Sequence, residues 1–352
     1  MKLKHCLLQR LAEYKEKMMV PVSVLMPVYN TPAGFLAEAV ESILNQTFGE
    51  FEFLIVDDCS TLKETTEYLN SLDDPRVKII RNHENLGITK SLNIGIREAA
   101  GKYIARMDSD DISLPQRLEK QYAFMEAHPE VVVCGSRAQR FGTLSSIWNV
   151  ATGDQELYRI RLLFGNAGPA HPSVMYRRED LLKYHLFYDE RIRYAQDYMM
   201  WVNALRVGVV HCMDDILIRY RFHEGQVSTA KAAEQRRCDN IVQAEQLSCL
   251  LDHVDLQTAD RHKSYVDDDI LTEESYRWFK KLIEANNKKG VYDKGKFRTH
   301  VESLIEDKLY PTYGINWKNL YSFRILFKYL SASYVFYKAK KIVAHKLGRI
   351  RY

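Results

Sequence analysis

The stretch "KYIARMDSDDISLPQR", residues 102–117, runs from an apolar segment, Tyr103-Ile104-Ala105, straight into three carboxylates, Asp108, Asp110 and Asp111. Carboxylates this close repel one another and raise each other's pKa unless a positive charge sits among them. Exposure in a polar turn is one explanation. Helix capping is a second, with Asp111 or Ser113 as cap and Pro115 in the first turn, but it accounts for only one of the three. A divalent cation is the third. Mg2+ or Mn2+ takes one or two protein carboxylates and completes its shell with water and substrate phosphates, and Asp108 and Asp110, two apart, offer such a partial shell. A calcium loop does not fit. Asp108, Asp110 and Glu119 match its first, third and twelfth positions, but Ile112 and Ser113 stand where an oxygen ligand and Gly are required, and Leu114-Pro115 opens a helix inside the loop.

Outward from this run, strand-like and helical periods alternate. "VSVLMPVYN" (22–30) reads as a strand and "AGFLAEAVESILNQT" (33–47) as a helix, with Phe35, Leu36, Val40, Ile43 and Leu44 on one face. Strand "FEFLIVDD" (51–58), helix "LKETTEYLNSL" (62–72), strand "RVKIIRN" (76–82) and helix "ITKSLNIGIREAA" (88–100) lead back to "KYIARMD". This alternation predicts an α/β fold, Rossmann-like, with a mostly parallel central sheet and helices on both faces. Ligands of such sheets bind at the carboxyl ends of the strands. Polar groups gather at those ends: Tyr29 and Asn30, then Asp57 and Asp58, then Asp108 to Asp111. Further on come helix 114–128, strand 131–141, a looser stretch, helix 196–208 and strand 210–223. Beyond Ala230 the pattern is mostly helical. The expected organisation is a helical extension over 1–20, a catalytic domain over 21–230 and a helical C-terminal region over 231–352.

The chain has 352 residues, 46% hydrophobic and 27% charged, which suffices for a real core. Its six cysteines are scattered without a C-x-x-C pair, as expected for thiols in a reducing compartment. The N-terminal stretch lacks a continuous apolar core, so no secretory signal is expected, and no apolar run approaches a membrane span. A cytoplasmic protein is expected. The net charge of +4 conceals an asymmetry: ten of the 50 Lys and Arg and none of the 46 Asp and Glu lie between Lys308 and Tyr352, leaving the rest at −6. Such a tail suggests an anionic partner. The glycine-rich dinucleotide and P-loop signatures are absent, so a nucleotide's phosphates would need another counter-charge.

Six ordered blocks then carry a resemblance: "VSVLMPVYN", "ESILNQTFGEFEFLIVDDCS" (41–60), "NLGITKSLNIGIREAAGKYIARMDSDDISLPQRLEKQ" (85–121), "GNAGPAHPSVMYRR" (165–178), "YAQDYMMWVNAL" (194–205) and "YRFHEGQVS" (220–228). Over about residues 20–230 the chain resembles family 2 glycosyltransferases of the GT-A fold, of the type that builds bacterial lipooligosaccharide, O-antigen and capsule. Block order and spacing are most similar to lipooligosaccharide β-1,3-N-acetylglucosaminyltransferases. The resemblance implies that Pro27, Tyr29 and Asn30 line a uridine pocket and that Asp58, beside Asp57, contacts base or ribose. It implies that Asp108 and Asp110 hold Mn2+ or Mg2+ against the donor diphosphate, with His223 near both and a metal ligand. Asp197 matches the family's catalytic base; Gln196 stands where the family usually has Glu, and Cys59 where Gly is common.

Other residues carry two readings each. Asp111 caps a helix or, like Gln196, joins the diphosphate or acceptor contacts. His171 is an ordinary loop histidine or an acceptor or diphosphate contact. Arg106 pairs with a carboxylate, positions the aspartates or joins the nucleotide-sugar set. Arg117 is expected in a structural pair. Asn85, Lys90 and Asn93 shape the nucleotide pocket or simply serve a turn and helix around Gly87. Asp197 is the base or a charge complementing a helix dipole.

The implied reaction agrees with elementary chemistry. Breaking a sugar–phosphate bond leaves charge on the diphosphate, which a metal stabilises, while a base takes the acceptor hydroxyl's proton. A base opposite the diphosphate gives inversion, so an α-linked UDP-sugar yields a β-linked product. The expected donor is UDP-N-acetylglucosamine, with UDP-galactose or UDP-glucose as alternatives, and the expected acceptor a glycan or lipid-linked glycan. A sugar nucleotidyltransferase or hydrolase, and a non-catalytic nucleotide- or glycan-binding protein, are the readings from other classes. In the tail, Leu320, Phe323, Phe327, Leu330, Tyr334 and Tyr337 form an apolar seam. That seam packs on the protein's own core or a second subunit, or it lies on an anionic membrane at the inner face of the cytoplasmic membrane. No recognised nucleic-acid-binding fold accompanies it, and a homo-oligomer is left open.

Overall fold

The computed structural model describes residues 20–222, 231–313 and 320–348. The expected helical extension, all but Val20, and His223 lie outside the described residues.

The chain divides into two compact units. The first comprises the chain up to Gln155 with Ala167–Cys238, and the second Glu156–Asn166 with Asp239 onward. The contiguous 21–230 division expected from sequence differs from it in two places: the first unit runs on to Cys238, and helix α5 (Gln155–Phe164) falls, from Glu156, in the second. Its apolar side, Ile160, Leu163 and Phe164, belongs to the core of the second unit with Leu247, Leu282 and Phe297.

In the first unit, β1 (Val22–Val28), β2 (Phe51–Asp57), β3 (Val77–Arg81) and β4 (Tyr103–Arg106) form a parallel sheet in the order β3-β2-β1-β4. Their connections are α1 (Ala33–Leu44), α2 (Lys63–Ser71) and α3 (Ile88–Glu98). Every residue of β1 is buried, which explains its unbroken apolar reading, since such strands are covered on both faces. Gly95 of α3 allows a close approach: a Cβ there would collide with the Leu25 side chain of β1.

The sheet continues from β4 as β8-β6-β9-β5, with β7 beside β6. Here β6 (Val131–Gly142) and β9 (Val209–Phe222) are the long strands expected, and they pair in parallel. The short strands β5 (Ile112–Ser113), β7 (Ser146–Trp148) and β8 (Met175–Arg177) all pair antiparallel, so this half is mixed. Strands of two or three residues carry too few alternations to announce themselves in sequence. The remaining helices of this unit are α4 (Arg117–Ala127), α6 (Arg178–Lys183) and α7 (Gln196–Ala204).

The second unit is helical: α8 (Ala232–Leu250), which begins before the division, α9 (Leu256–Asp267), α10 (Glu273–Lys289), α11 (Lys294–Tyr313), α12 (Leu320–Tyr329) and α13 (Ala332–Gly348). The single seam expected from Leu320 to Tyr337 is broken here. Two helices replace it, and Leu326, Leu330, Tyr334 and Val335 are buried while Phe327 and Tyr337 are exposed. The break lies where the Ser331 amide and hydroxyl donate to Glu302 of α11.

Candidate active site

Because β1, β2 and β4 run in parallel, the loops after them open at one edge of the sheet. After β1, Asn30 adopts a left-handed φ of 50°. Its side-chain oxygen accepts from the Thr61 and Leu62 amides at 2.7 and 2.8 Å. After β2, Asp57 accepts from the Ser60 amide at 3.0 Å. Asp58 is buried and accepts from the Asn82 side chain at 2.7 Å and from the Leu86 and Gly87 amides at 2.9 and 2.8 Å. Gly87 stands at φ 86°, a conformation that L side chains rarely adopt, and so turns its N–H toward this carboxylate as α3 begins. Asn30, Asp57 and Asp58 thus frame the loops. Tyr29 is exposed beside them, and Pro27 is buried within β1. Cys59 stands at φ 61°, which is the physical reason a Gly suits this position.

Past β4 lies the triplet. One carboxylate oxygen from each of Asp108, Asp110 and Asp111 falls within 4.8 Å of the others. Arg106, 2% exposed, donates from its two terminal nitrogens to both oxygens of Asp108, at 2.5 and 2.7 Å. Asp111, 1% exposed, accepts from the Arg221 amide at 2.7 Å through one oxygen, while the other has no hydrogen-bond partner among the described residues. Burial pushes Asp111 well above the usual carboxylate range, and the charges of Asp108 and Asp110 push it further. Asp108 is raised by burial against the opposing pull of Arg106. The Asp110 carbonyl accepts from the Arg221 side chain at 2.7 Å, and Arg221 also pairs with Glu38.

This arrangement fits a divalent cation. Arg106 compensates one of the three carboxylates, and a buried carboxylate oxygen without a donor is costly unless a cation or proton satisfies it. Capping explains none of it, since α4 starts at Arg117 without a side-chain cap.

Arg106 is not placed as a nucleotide-sugar contact. Its guanidinium is buried and taken up by Asp108. Arg117, expected in an ion pair, bonds instead to the carbonyls of Arg106 and Val174, at 2.6 and 3.2 Å, and to Gln121. Burial, with the nearby Arg106 charge, lowers it to about 9. His171 is no surface loop histidine. Its Nε2 meets the Tyr188 hydroxyl at 2.7 Å, Tyr188 meets Tyr176 at 2.8 Å, and burial holds the imidazole well below its ordinary pKa. Asn93 pairs both ends of its amide with the Tyr188 backbone, which rules it out as a pocket wall. Asn85 is exposed, with its amide 3.4 Å from the Asp58 carbonyl, and Lys90 is exposed on α3.

Asp197 lies in the first turn of α7 after Ala195, which stands at φ 62°, and accepts from the Tyr198 amide at 2.8 Å. Its charge weighs on Asp108, Tyr176 and Tyr188, so it belongs to the same neighbourhood. Gln196 beside it is buried. Sequence reading missed Tyr188, whose hydroxyl only the fold brings to His171, and Tyr176, whose hydroxyl meets that of Tyr188. It also missed Arg193, an exposed cation within reach of Gly87, where a Cβ would lie 3.7 Å from its Nε.

Comparison with known proteins adds three likenesses to a family match. The family described as glycosyl transferase family 2 matches residues 23–185. An uncharacterized glycosyltransferase of Haemophilus influenzae is 30% identical over 247 residues, covering 66% of this chain and 75% of the relative. Among solved structures, S. aureus TarS 1–349 in complex with UDP-GlcNAc gives a TM-score of 0.53 at 20% identity, over 83% of this chain and 85% of that one. The mannosyltransferase PcManGT from Pyrobaculum calidifontis, in complex with GDP-Man and Mn2+, gives 0.52 at 14% identity, over 82% and 81%. These structural likenesses are of fold, the GT-A type.

Proposed function

This chain belongs to glycosyl transferase family 2, and on that premise we propose that it is a metal-dependent, inverting transferase that moves N-acetylglucosamine from UDP to a hydroxyl of a bacterial cell-surface glycan. The observation that carries the reading is the orphaned, buried oxygen of Asp111 beside Asp108 and Asp110 at the edge where the strand ends gather. Asp108, Asp110 and Asp111 would hold Mn2+ or Mg2+, which supplies Lewis-acid stabilisation of the charge left on the diphosphate. The resemblance adds His223 to that set. The UDP-GlcNAc held by TarS supports the choice of donor, and the Mn2+ held by PcManGT supports the choice of metal.

The chain's own residues do the rest. Asn30, Asp57 and Asp58 fix the loops that receive the nucleotide, with Tyr29 exposed as a face for the base. Asp197 takes the proton of the acceptor hydroxyl as the new bond forms, which gives a β-linked product from an α-linked donor.

A thermal-shift screen of UDP- and GDP-sugars, with and without Mn2+, tests this on wild type and Asp110→Ala. A ligand that binds only the native state raises the midpoint by mass action. A Mn2+-dependent shift with UDP-N-acetylglucosamine, lost in Asp110→Ala, is expected. UDP-galactose, UDP-glucose or a GDP-sugar ranking first would replace the donor. The absence of any nucleotide shift in folded protein would overturn the reading.

A further inference from the structure

The C-terminal helices have two unlike faces. One is fastened to α11. Leu326, Leu330, Tyr334 and Val335 are buried, the Tyr334 hydroxyl donates to Glu306 at 2.6 Å, and Lys338 pairs with Glu306 at 2.8 Å. Glu302 and Glu306 are themselves buried, so this face is anchored by apolar contact and by charge.

The opposite face is built differently. Phe336 is 67% exposed, Phe327 45% and Tyr337 44%. The rings of Phe327 and Phe336 meet at 6.0 Å, joining α12 and α13 in one patch. On α13 each of these two aromatics has a lysine one turn on, Lys340 after Phe336 and Lys341 after Tyr337, in two adjacent rows. The Lys341 ammonium lies 4.9 Å from the Tyr337 ring centre. No Asp or Glu follows Asp307 to the end of the sequence. Among the described residues no helix is long and apolar enough to cross a membrane.

We infer that this outward face, Phe327, Phe336 and Tyr337 with Lys340 and Lys341, docks on an anionic lipid bilayer. Aromatic rings settle at the level of the headgroups, while lysines on flexible stems reach the lipid phosphates above them. Nucleic acid suits the patch less well. Phe327 and Phe336 are tilted 64° to one another and turn an edge to a face, so they offer no continuous platform on which bases stack. The inference stands on the second unit alone and does not depend on sugar transfer.

Sedimentation of the full chain with vesicles tests it. Protein should pellet with vesicles of equal parts phosphatidylcholine and phosphatidylglycerol, not with pure phosphatidylcholine, and salt should release it. Phe336→Ser with Tyr337→Ser should abolish pelleting. Lys340→Gln with Lys341→Gln should weaken partitioning about 25-fold, at about fivefold per lysine near an anionic surface. The thermal midpoints should match wild type, because all four side chains are exposed. Absence of pelleting, or pelleting unchanged in both variants, would overturn the inference. So would an apparent mass showing that wild type self-associates and the aromatic variant does not, which would assign the face to a second copy.

Discussion

Arg106 and Asp108 form a two-pronged pair at the end of β4, with the guanidinium entirely inside the protein and the carboxylate at the edge of the site. The pair fixes one carboxylate of the triplet in orientation and supplies the resident positive charge there. Arg106→Met therefore removes more than a hydrogen bond, because it leaves three carboxylates without their nearest cation. Breaking a buried pair on one side costs about 3–5 kcal/mol, and the partly exposed Asp108 places this case toward the lower end. The midpoint of thermal unfolding should fall accordingly, and Mn2+ should raise it by more than it raises wild type. A variant as stable as wild type, with an unchanged response to Mn2+, would show that Arg106 is not the counter-charge.

Asp111 gives the complementary case. Asn at this position keeps an acceptor for the Arg221 amide and removes a carboxyl that burial and two neighbouring carboxylates make costly to ionise. Without metal, Asp111→Asn should be more stable than wild type by about 1–2 kcal/mol, the scale of one pKa unit of like-charge repulsion removed. With Mn2+ the order should reverse, since wild type gains a ligand and the variant does not. Urea unfolding of both proteins, with Mn2+ and with chelator, reads this crossover. Parallel curves in the two conditions would remove Asp111 from the metal set.

Cys59 tests the loop after β2 without touching its carboxylates. A left-handed conformation costs an L residue about 1–2 kcal/mol, whereas glycine adopts it freely at an entropic cost of about 0.5–1 kcal/mol. The thiol gives little back, with its sulfur 3.8 Å from the His83 carbonyl. Cys59→Gly should therefore stabilise the protein by about 0.5–1 kcal/mol, and Cys59→Ala should not. A loss of stability in the glycine variant would mean that the thiol's packing outweighs the backbone strain.

The parallel half of the sheet was legible because β1, β2 and β4 are buried on both faces and the connecting helices are long enough to show a period. The triplet was legible because three aspartates in four residues need a physical reason. What could not be read was cooperation across the chain. Whether Arg106 meets a nucleotide or Asp108 depends on Val174 lying beside its backbone amide, and whether His171 is exposed depends on Tyr188 seventeen residues on. The affiliation of α5 was likewise invisible, because an apolar helical face does not state which core it joins. The C-terminal seam failed for a local reason. A run of apolar residues at helical spacing continues past Leu330, but Glu302 captures Ser331 and the helix restarts in a new register.

A pH dependence follows from His262 in the second unit. Its Nε2 donates to the Leu163 carbonyl at 3.0 Å, and its Nδ1 accepts from the Trp278 indole N–H at 2.9 Å, so the neutral ring is fully satisfied. A proton on Nδ1 would point straight at that indole hydrogen. Burial lowers the imidazole to about 4, and His300 is lowered to about 4 by burial and the Arg161 charge. The unfolded chain takes up these protons below about 6.5 while the folded chain refuses them until about 4, so stability falls as pH drops through that window and is retained above it. For a fully buried histidine the loss is about 3 kcal/mol between the two values. His262→Gln retains a donor and an acceptor but cannot titrate. It should cost stability at pH 7.5 yet flatten the decline toward pH 5, measured by urea unfolding of the whole chain. An equally steep decline in wild type and variant would place the acid sensitivity elsewhere.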